Sequence, residues 1–262
     1  MVIPTHITEA AENGENAIVQ AWLDEAGPGR VNEVVDDTNL RLLHFSTCSE
    51  SCDLTKALLT RGADVNLCEI GGWAALQYAC NPPCSPAIVQ LLLQSGALVN
   101  VRTTNVRGFS THESSTPLGH VLMMPIYIYD DSNDSGDDES HISRGSEIET
   151  IEALLRAGAS LDRCRGEDSA EGLMRKFLAY PNSVAQGFAT DEKYIECQNL
   201  VAGVRAHGSY KRYLLVPHRQ FLRLRSLLVR GRAKTADDRI KRIKRLLNGA
   251  VWNVLSYWRE AE

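Results

Sequence analysis

The stretch RGADVNLCEIGGWAALQYA, residues 61–79, decides how the rest of the chain is interpreted. It begins with the last turn of a predicted helix, which Gly62 ends, because glycine adopts the left-handed backbone of a helix end without strain. Gly72 follows a short loop and precedes an apolar segment that predicts another helix. A helix end, a loop and a helix start in this order predict a repeated helical unit.

The same landmarks recur along the chain at a nearly constant spacing. Leu43 recurs as Leu76, and Gly62 recurs as Gly96. This order, with its period of about 33 residues, resembles the ankyrin repeat, in which a helix ending in Gly-Ala-Asp-Val-Asn leads into a finger loop and then into Gly-x-Thr-Pro-Leu-His-x-Ala. The resemblance implies an all-α solenoid of about four and a half repeats over residues 1–208.

The chain departs from the ankyrin pattern in several places. Residues 74–77 read AALQ in place of Thr-Pro-Leu-His, and residues 116–120 read TPLGH, with His120 one place late. The finger at residues 102–115 is considerably longer than the one before Leu76. Residues 130–146, DDSNDSGDDESHISRGS, are acidic and rich in serine, which predicts a disordered insertion within the repeats.

The C-terminal segment, residues 209–262, differs from the repeats in charge. Residues 205–262 contain 15 Lys and Arg against 4 Asp and Glu, whereas the rest of the chain contains 13 against 29. Apolar residues at helical spacing predict three short helices at about 217–230, 236–247 and 249–259. We predict that these helices form a basic cap on the last repeat.

The tail also resembles known C-terminal segments. Its Arg-Gly-Arg-Ala at residues 230–233 is similar to the ending of many ankyrin proteins of unicellular algae and other protists. The Leu/Arg helix, linker and apolar closing helix resemble a SOCS box, and the closing helix resembles an F-box start in which Asn248 replaces proline. Both boxes imply docking to a cullin-type ubiquitin-ligase adaptor. A less favoured alternative is that the basic helices bind nucleic acid.

No catalytic motif is present in the sequence. There is no Gly-rich phosphate loop, nucleophile elbow or metalloprotease helix. His44 fills the ankyrin position whose side chain bonds to the backbone of a neighbouring loop, so the resemblance implies a structural role for it. We therefore predict a non-enzymatic scaffold that binds a protein partner and holds no cofactor.

Four cysteines raise the question of a metal site. Cys48 and Cys52 recur one repeat later as Cys80 and Cys84. Neighbouring repeats lie ~10 Å apart, whereas zinc holds its sulfur ligands at ~2.3 Å, and the spacing within each pair is wider than usual for zinc. We predict no metal site, with Cys48 and Cys80 as small buried helix residues.

The ankyrin resemblance also indicates where a partner binds. Ankyrin proteins usually contact partners through the finger tips and the exposed side of the first helix of each repeat, on the concave face. In this chain the resemblance places four residues there: Cys68, Ile70, Trp73 and Tyr78. Trp and Tyr are typical anchors of interfaces. The alternative is that Trp73 folds down onto the next finger.

The remaining sequence features concern the compartment. The N-terminus lacks a basic stretch followed by an apolar one, so we expect no signal peptide. No apolar run reaches the ~18 residues that span a bilayer, so we expect no membrane association. Seven cysteines without a secretory signal are typical of a reducing compartment. We predict the cytoplasm, with the nucleus as the alternative.

Overall fold

A computed structural model describes residues 3–27, 29–81, 84–104, 114–122, 144–179 and 189–216. The chain divides into two units, Met1–Tyr210 and Lys211–Glu262. The predicted tail helices at about 217–230, 236–247 and 249–259 lie outside the described residues. The cap, SOCS-box, F-box and nucleic-acid interpretations of the tail therefore stay predictions, and so does the division of the chain into domains.

The described residues are helical, with isolated bridges and no strand, which confirms the predicted all-α class. In chain order the helices are α1 (Thr5–Glu12), α2 (Asn16–Ala26), α3 (Leu42–Cys48), α4 (Cys52–Thr60), α5 (Ala75–Ala79), α6 (Pro86–Gln94), α7 (helical residues 117–122), α8 (Arg144–Arg156), α9 (Ala170–Leu178) and α10 (Glu192–His207). Helix α8 begins inside the last three residues of the insertion predicted at 130–146, and the rest of that insertion lies outside the described residues.

The helices form pairs that stack in two layers. Within pairs, α1 packs on α2, α3 on α4, α5 on α6 and α9 on α10. The first helices form one layer, in which α1 packs on α3 and α3 on α5. The second helices form the other layer through the contacts of α2 with α4, α4 with α6, α6 with α8 and α8 with α10. The described part of the chain thus contains helices from five repeats, where the sequence predicted about four and a half.

Buried leucines at repeating positions hold the layers together. Leu43, Leu76 and Leu118 all lie at the second position of a first helix and are at most 4% exposed. Leu58 and Leu92, which hold the same place in consecutive second helices, are fully buried. Burial of one leucine side chain stabilises the fold by about 1.5–3 kcal/mol, so this periodic set supplies much of the driving force.

A ladder of asparagines fixes the register between repeats. Asn66 donates from Nδ2 to the carbonyl of Gly96 at 3.2 Å and accepts from the N–H of Leu98 at 2.9 Å. One repeat earlier, Asn32 makes the same two bonds to Gly62 and Asp64. The same pair of bonds joins Asn100 to Gly158 and Ser160. These three residues, Asn32, Asn66 and Asn100, are the asparagine ladder.

The ladder ends at Asp162, which takes the place of the next asparagine. Its carboxylate accepts from Arg205 of α10 at 2.7 Å. The same guanidinium donates to both carboxylate oxygens of Glu171, at 2.8 and 3.0 Å, and to the carbonyl of Leu161. Arg205 therefore ties the last helix pair to the finger before it. The change from Asn to Asp gives this guanidinium an anionic partner.

Candidate partner-binding face

The finger at residues 67–73 is built as a short turn. Cys68 and Ala74 form an isolated bridge, the N–H of Glu69 donates to the Trp73 carbonyl at 3.0 Å, and the N–H of Gly72 donates to the Glu69 carbonyl at 2.9 Å. The Glu69 carboxylate accepts from the N–H of Trp73 at 3.1 Å. These bonds place Ile70 at the tip of the turn.

Hydrogen bonds between tips fix this finger to its neighbours on both sides. The N–H of Ile70 donates to the Thr38 carbonyl at 2.9 Å, and the Gly71 carbonyl accepts from the N–H of Thr104 at 2.7 Å. Gly72 allows the second approach, because a Cβ there would lie 2.8 Å from the backbone nitrogen of Thr104. Its φ of +79° also lies in the left-handed region that favours glycine. The tips therefore form one continuous backbone surface.

Aromatic rings run across three consecutive first helices behind these tips. The ring centroids of His44 and Tyr78 are 5.4 Å apart, those of Tyr78 and Trp73 are 5.2 Å apart, and those of Trp73 and His120 are 4.4 Å apart. All three pairs are tilted, which is a favourable arrangement for aromatic rings. We call this set, His44, Tyr78, Trp73 and His120, the aromatic row.

His44 has the structural role that the ankyrin resemblance implied. Its Nδ1 accepts from the N–H of Arg41 at 3.0 Å, which leaves Nε2 to donate to the Leu67 carbonyl at 3.1 Å. Burial lowers the pKa of His44 to about 4; the bond to Leu67 raises the pKa and the charge of Arg41 lowers it. The ring is therefore neutral at pH 7 and joins a helix start to the next finger.

Gln77 replaces this histidine in the next repeat. Its Oε1 accepts from the N–H of Ala74 at 3.0 Å, and its Nε2 donates to the Val101 carbonyl at 3.1 Å. His44 makes the corresponding two bonds in the preceding repeat. The AALQ segment that departs from the family pattern in sequence thus keeps its hydrogen bonds.

The late position of His120 has a different cause. Gly119 holds the place that His44 and Gln77 occupy, and a Cβ there would lie 2.1 Å from the Cys164 carbonyl oxygen. The N–H of Thr116 already donates to that oxygen at 2.8 Å. Only glycine fits at residue 119. The histidine stands one position later, at residue 120, where its ring is part of the aromatic row.

The structure brings the four sequence-predicted residues to one finger and the helix behind it. Ile70 is 45% exposed, whereas Cys68, Trp73 and Tyr78 are half-buried. Burial raises the pKa of Tyr78, and the neighbouring Glu69 and Cys48 raise it further. We call the set Cys68, Ile70, Trp73 and Tyr78 the fingertip face.

Trp73 lies against the first helix of the following repeat. Its ring packs on His120 of the following repeat and yet stays partly accessible. The sequence analysis missed His120 as a neighbour of this face. The available signal was that His120 follows Leu118 by two residues, as Tyr78 follows Leu76. The longer finger before α7 moves both residues away from the regular repeat spacing.

The cysteines correct one prediction. Cys80 is buried as expected, but Cys48, the last residue of α3, is exposed. Burial raises the pKa of the Cys84 and Cys164 thiols to about 12, which makes them poor nucleophiles and ligands. Within the described ranges no three side chains of His, Cys, Asp or Glu are grouped so that they could hold a metal ion.

The described helices also bear on membranes. In the part of the chain that the structure covers, no helix has both the length and the apolar character required to cross a bilayer.

Comparison with known families gives one match. A model described as ankyrin repeats, in three copies, matches residues 7–103. This confirms that residues 7–103 contain the ankyrin repeats inferred from residues 61–79, and it indicates a module for protein–protein interaction. No match was found among curated proteins.

Proposed function

Since residues 7–103 of this chain are ankyrin repeats, we propose that it is a non-enzymatic module that binds a partner protein on the fingertip face. The observation that carries the proposal is Ile70. This large apolar side chain is 45% exposed at the tip of a finger whose backbone is bonded to Thr38 on one side and whose next residue is bonded to Thr104 on the other. A rigid support lowers the ordering cost of binding.

Trp73 and Tyr78 extend the apolar surface behind that tip. Both rings are half-buried and already held against neighbouring rings. Aromatic side chains fixed in this way offer a large contact area, and their few rotatable bonds cost little entropy on binding. A partner that covers Ile70 therefore gains two aromatic contacts beside it.

The thiols agree with a scaffold in the cytoplasm. All seven cysteines are free, and neither buried nor exposed ones form a disulfide. Free thiols persist in a reducing compartment. We place the protein there, with the nucleus as the alternative, and assign it no cofactor.

The test is affinity capture with the full chain as bait and quantitative mass spectrometry as readout. We expect the double variant Ile70→Ser, Trp73→Ala to lose at least one protein that the wild type captures, by about tenfold or more, because interface anchors of this kind each contribute about 1–2 kcal/mol. The single variant Ile70→Lys leaves the aromatic row intact and should lose the same protein.

Ile18→Ser is the matched control. Ile18 lies in the second-helix layer on α2 and is 47% exposed, close to the value for Ile70. It should capture the same proteins as the wild type. Equal recovery of every protein by the wild type, Ile18→Ser and both fingertip variants would place the binding surface elsewhere. Thermal denaturation of each variant separates loss of binding from loss of fold.

A further inference from the structure

The described repeats before the long finger carry an excess of negative charge. Residues 3–104 contain 12 Asp and Glu and only 5 Lys and Arg. The groups that each arginine binds within the fold decide how much of that negative charge is available to a partner protein. Four of the five cations are arginines with assigned partners within the fold.

Arg41 and Arg102 are used to bind backbone. Arg41 donates to the carbonyls of Asn32, Asn39 and Cys68. Arg102 donates to the hydroxyl and the carbonyl of Ser114, at 3.1 and 2.9 Å, and also to carbonyls of the following finger. Both guanidinium groups are therefore oriented into the finger region and offer little to a partner's carboxylate.

Arg30 and Arg61 are neutralised by carboxylates. Arg30 pairs with Glu33 at 2.9 Å and also lies over the Trp22 ring. Arg61 pairs with Asp24 of α2 at 2.6 Å. Lys56, on α4 in the second-helix layer, is the remaining cation of residues 3–104.

Unlike these arginines, which are engaged within the fold, the carboxylates near the fingertip face are exposed. Glu9 and Glu12 are exposed on α1, and Asp36 and Asp37 are exposed on the finger whose Thr38 carbonyl accepts from the N–H of Ile70. Helix α1, which carries Glu9 and Glu12, packs on α3, the next first helix.

Two carboxylates near the fingertip face act electrostatically on residues at or beside the aromatic row. Partial desolvation and the neighbouring carboxylate of Glu12 raise the pKa of Cys48. Glu69 and Cys48 in turn lie close enough to Tyr78 to raise its pKa further than burial alone does. Glu12 thus acts on Cys48, and Cys48 and Glu69 act on Tyr78, so these four side chains lie within electrostatic reach of one another between α1 and the finger that carries Ile70.

We propose that the fingertip face binds a positively charged protein segment that places one apolar side chain against Ile70 and Trp73. This inference rests on the proposed function and adds the chemistry of the partner. The apolar side chain covers the exposed anchor, while Lys or Arg residues beside it meet Glu9, Glu12 and Asp37. An acidic segment is disfavoured. Within residues 3–104 all four arginines are engaged within the fold, and Lys56 lies in the second-helix layer.

The first experiment identifies the preferred segment without a known partner. A displayed library of random peptides is selected against the full chain, with Ile70→Ser, Trp73→Ala as the counter-bait. We expect the enriched peptides to carry net positive charge and a shared apolar residue. Enriched peptides that are neutral or acidic overturn the inference, and so does a selection that enriches nothing above the counter-bait.

The second experiment measures the charge contribution directly. The variant Glu9→Gln, Glu12→Gln, Asp37→Asn removes three exposed carboxylates that make no assigned hydrogen bond or ion pair, so it should fold as the wild type does. Fluorescence anisotropy with an enriched peptide should show affinity about tenfold weaker at low salt. The difference should shrink between about 0.05 M and about 0.3 M NaCl, because salt screens exposed charges.

The control neutralises three exposed carboxylates on second helices, on α2, α8 and α10: Glu25→Gln, Glu149→Gln and Glu192→Gln. It changes net charge by the same amount and should bind the peptide as the wild type does. Equal weakening in both triple variants would show a general charge effect and overturn the inference. Peptides whose binding depends on Ile70 and Trp73 but ignores the carboxylates would overturn the charge inference and leave the proposed function standing. Peptides that bind both fingertip variants normally would overturn both.

Discussion

His44 and Gln77 are chemically different side chains that make the same two hydrogen bonds in consecutive repeats. Each accepts a bond from the N–H three residues earlier, at 3.0 Å, and each has its Nε2 3.1 Å from a carbonyl oxygen of the next finger. The two residues differ in one respect. Only the histidine can become charged, and its burial makes that costly.

The first prediction follows from this pair. Replacement of His44 by glutamine should leave stability at pH 7 within about 1 kcal/mol of the wild type, because both hydrogen bonds remain. The pKa of His44 is about 4 in the folded chain, below its unfolded value of 6.5. The wild type therefore loses stability as pH falls from about 6.5 to about 4, and by pH 5 it should lose about 2 kcal/mol more than His44→Gln.

Urea denaturation at pH 7 and pH 5 measures the difference. His44→Ala is the control, since it removes both hydrogen bonds and should destabilise at either pH. Parallel pH dependence in the wild type and His44→Gln would contradict the neutral, buried histidine.

A second prediction concerns two glycines with similar backbones and different surroundings. Gly72 and Gly62 have φ of +79° and +88°. A Cβ at residue 62 meets nothing within 4 Å, whereas at residue 72 it lies 2.8 Å from the Thr104 backbone nitrogen. Gly62→Ala should cost about 1–2 kcal/mol from the backbone conformation alone. Gly72→Ala should cost about 1–3 kcal/mol more, from the clash. Chemical denaturation of both variants checks this, and equal losses would mean that the tips are not in contact.

A third prediction tests the asparagine ladder. Asn66→Ala removes one bond to Gly96 and one to Leu98, and it should lower the free energy of unfolding by about 1–2 kcal/mol. Asn81→Ala, at an exposed asparagine without a side-chain bond of this kind, should change it by less than about 0.5 kcal/mol. Thermal unfolding of the two variants gives the comparison. Equal small shifts would show that leucine packing alone sets the register.

A fourth prediction concerns the end of the ladder. Arg205→Gln leaves Asp162 and Glu171 without their shared cation and should cost about 1–2 kcal/mol. Hydrogen exchange in α10 should speed up, because that helix loses its tie to the preceding finger. Arg163→Gln is the control; it removes an exposed pair with Glu167 and should cost less than about 0.5 kcal/mol. Unchanged exchange in α10 after Arg205→Gln would assign its attachment to apolar packing.

Much of this architecture could be predicted because repeats impose a strict period. The spacing of Leu43 and Leu76 located two helix starts, and both residues are buried where the period put them. Gly62 and Gly96 were predicted to end helices in the left-handed conformation, and both have φ of +88°. Such features depend on neighbours within one repeat, so local sequence is enough to find them.

Other features depend on atoms that lie far apart in the chain. Cys48 and Cys80 looked equivalent by spacing, yet one is exposed and the other buried. They are 32 residues apart, one fewer than Leu43 and Leu76, so the residue that corresponds to Cys80 is the buried Thr47, and Cys48 lies one position further round the helix. The substitution of glutamine for histidine at residue 77 likewise looked like decay of the pattern until its two partners were known.

The sequence by itself determined the repeat, its period and the finger that carries Ile70, because helix ends, turn glycines and buried leucines are local or periodic requirements. Only the tertiary structure decided which residues those fingers bring together. The Cys164 carbonyl excludes a side chain at Gly119 and so moves His120 against Trp73, and the arginines near the fingers are taken up by carbonyls of other loops. These outcomes arise from contacts between repeats, where packing and hydrogen-bond geometry select one arrangement among many that the same residues allow.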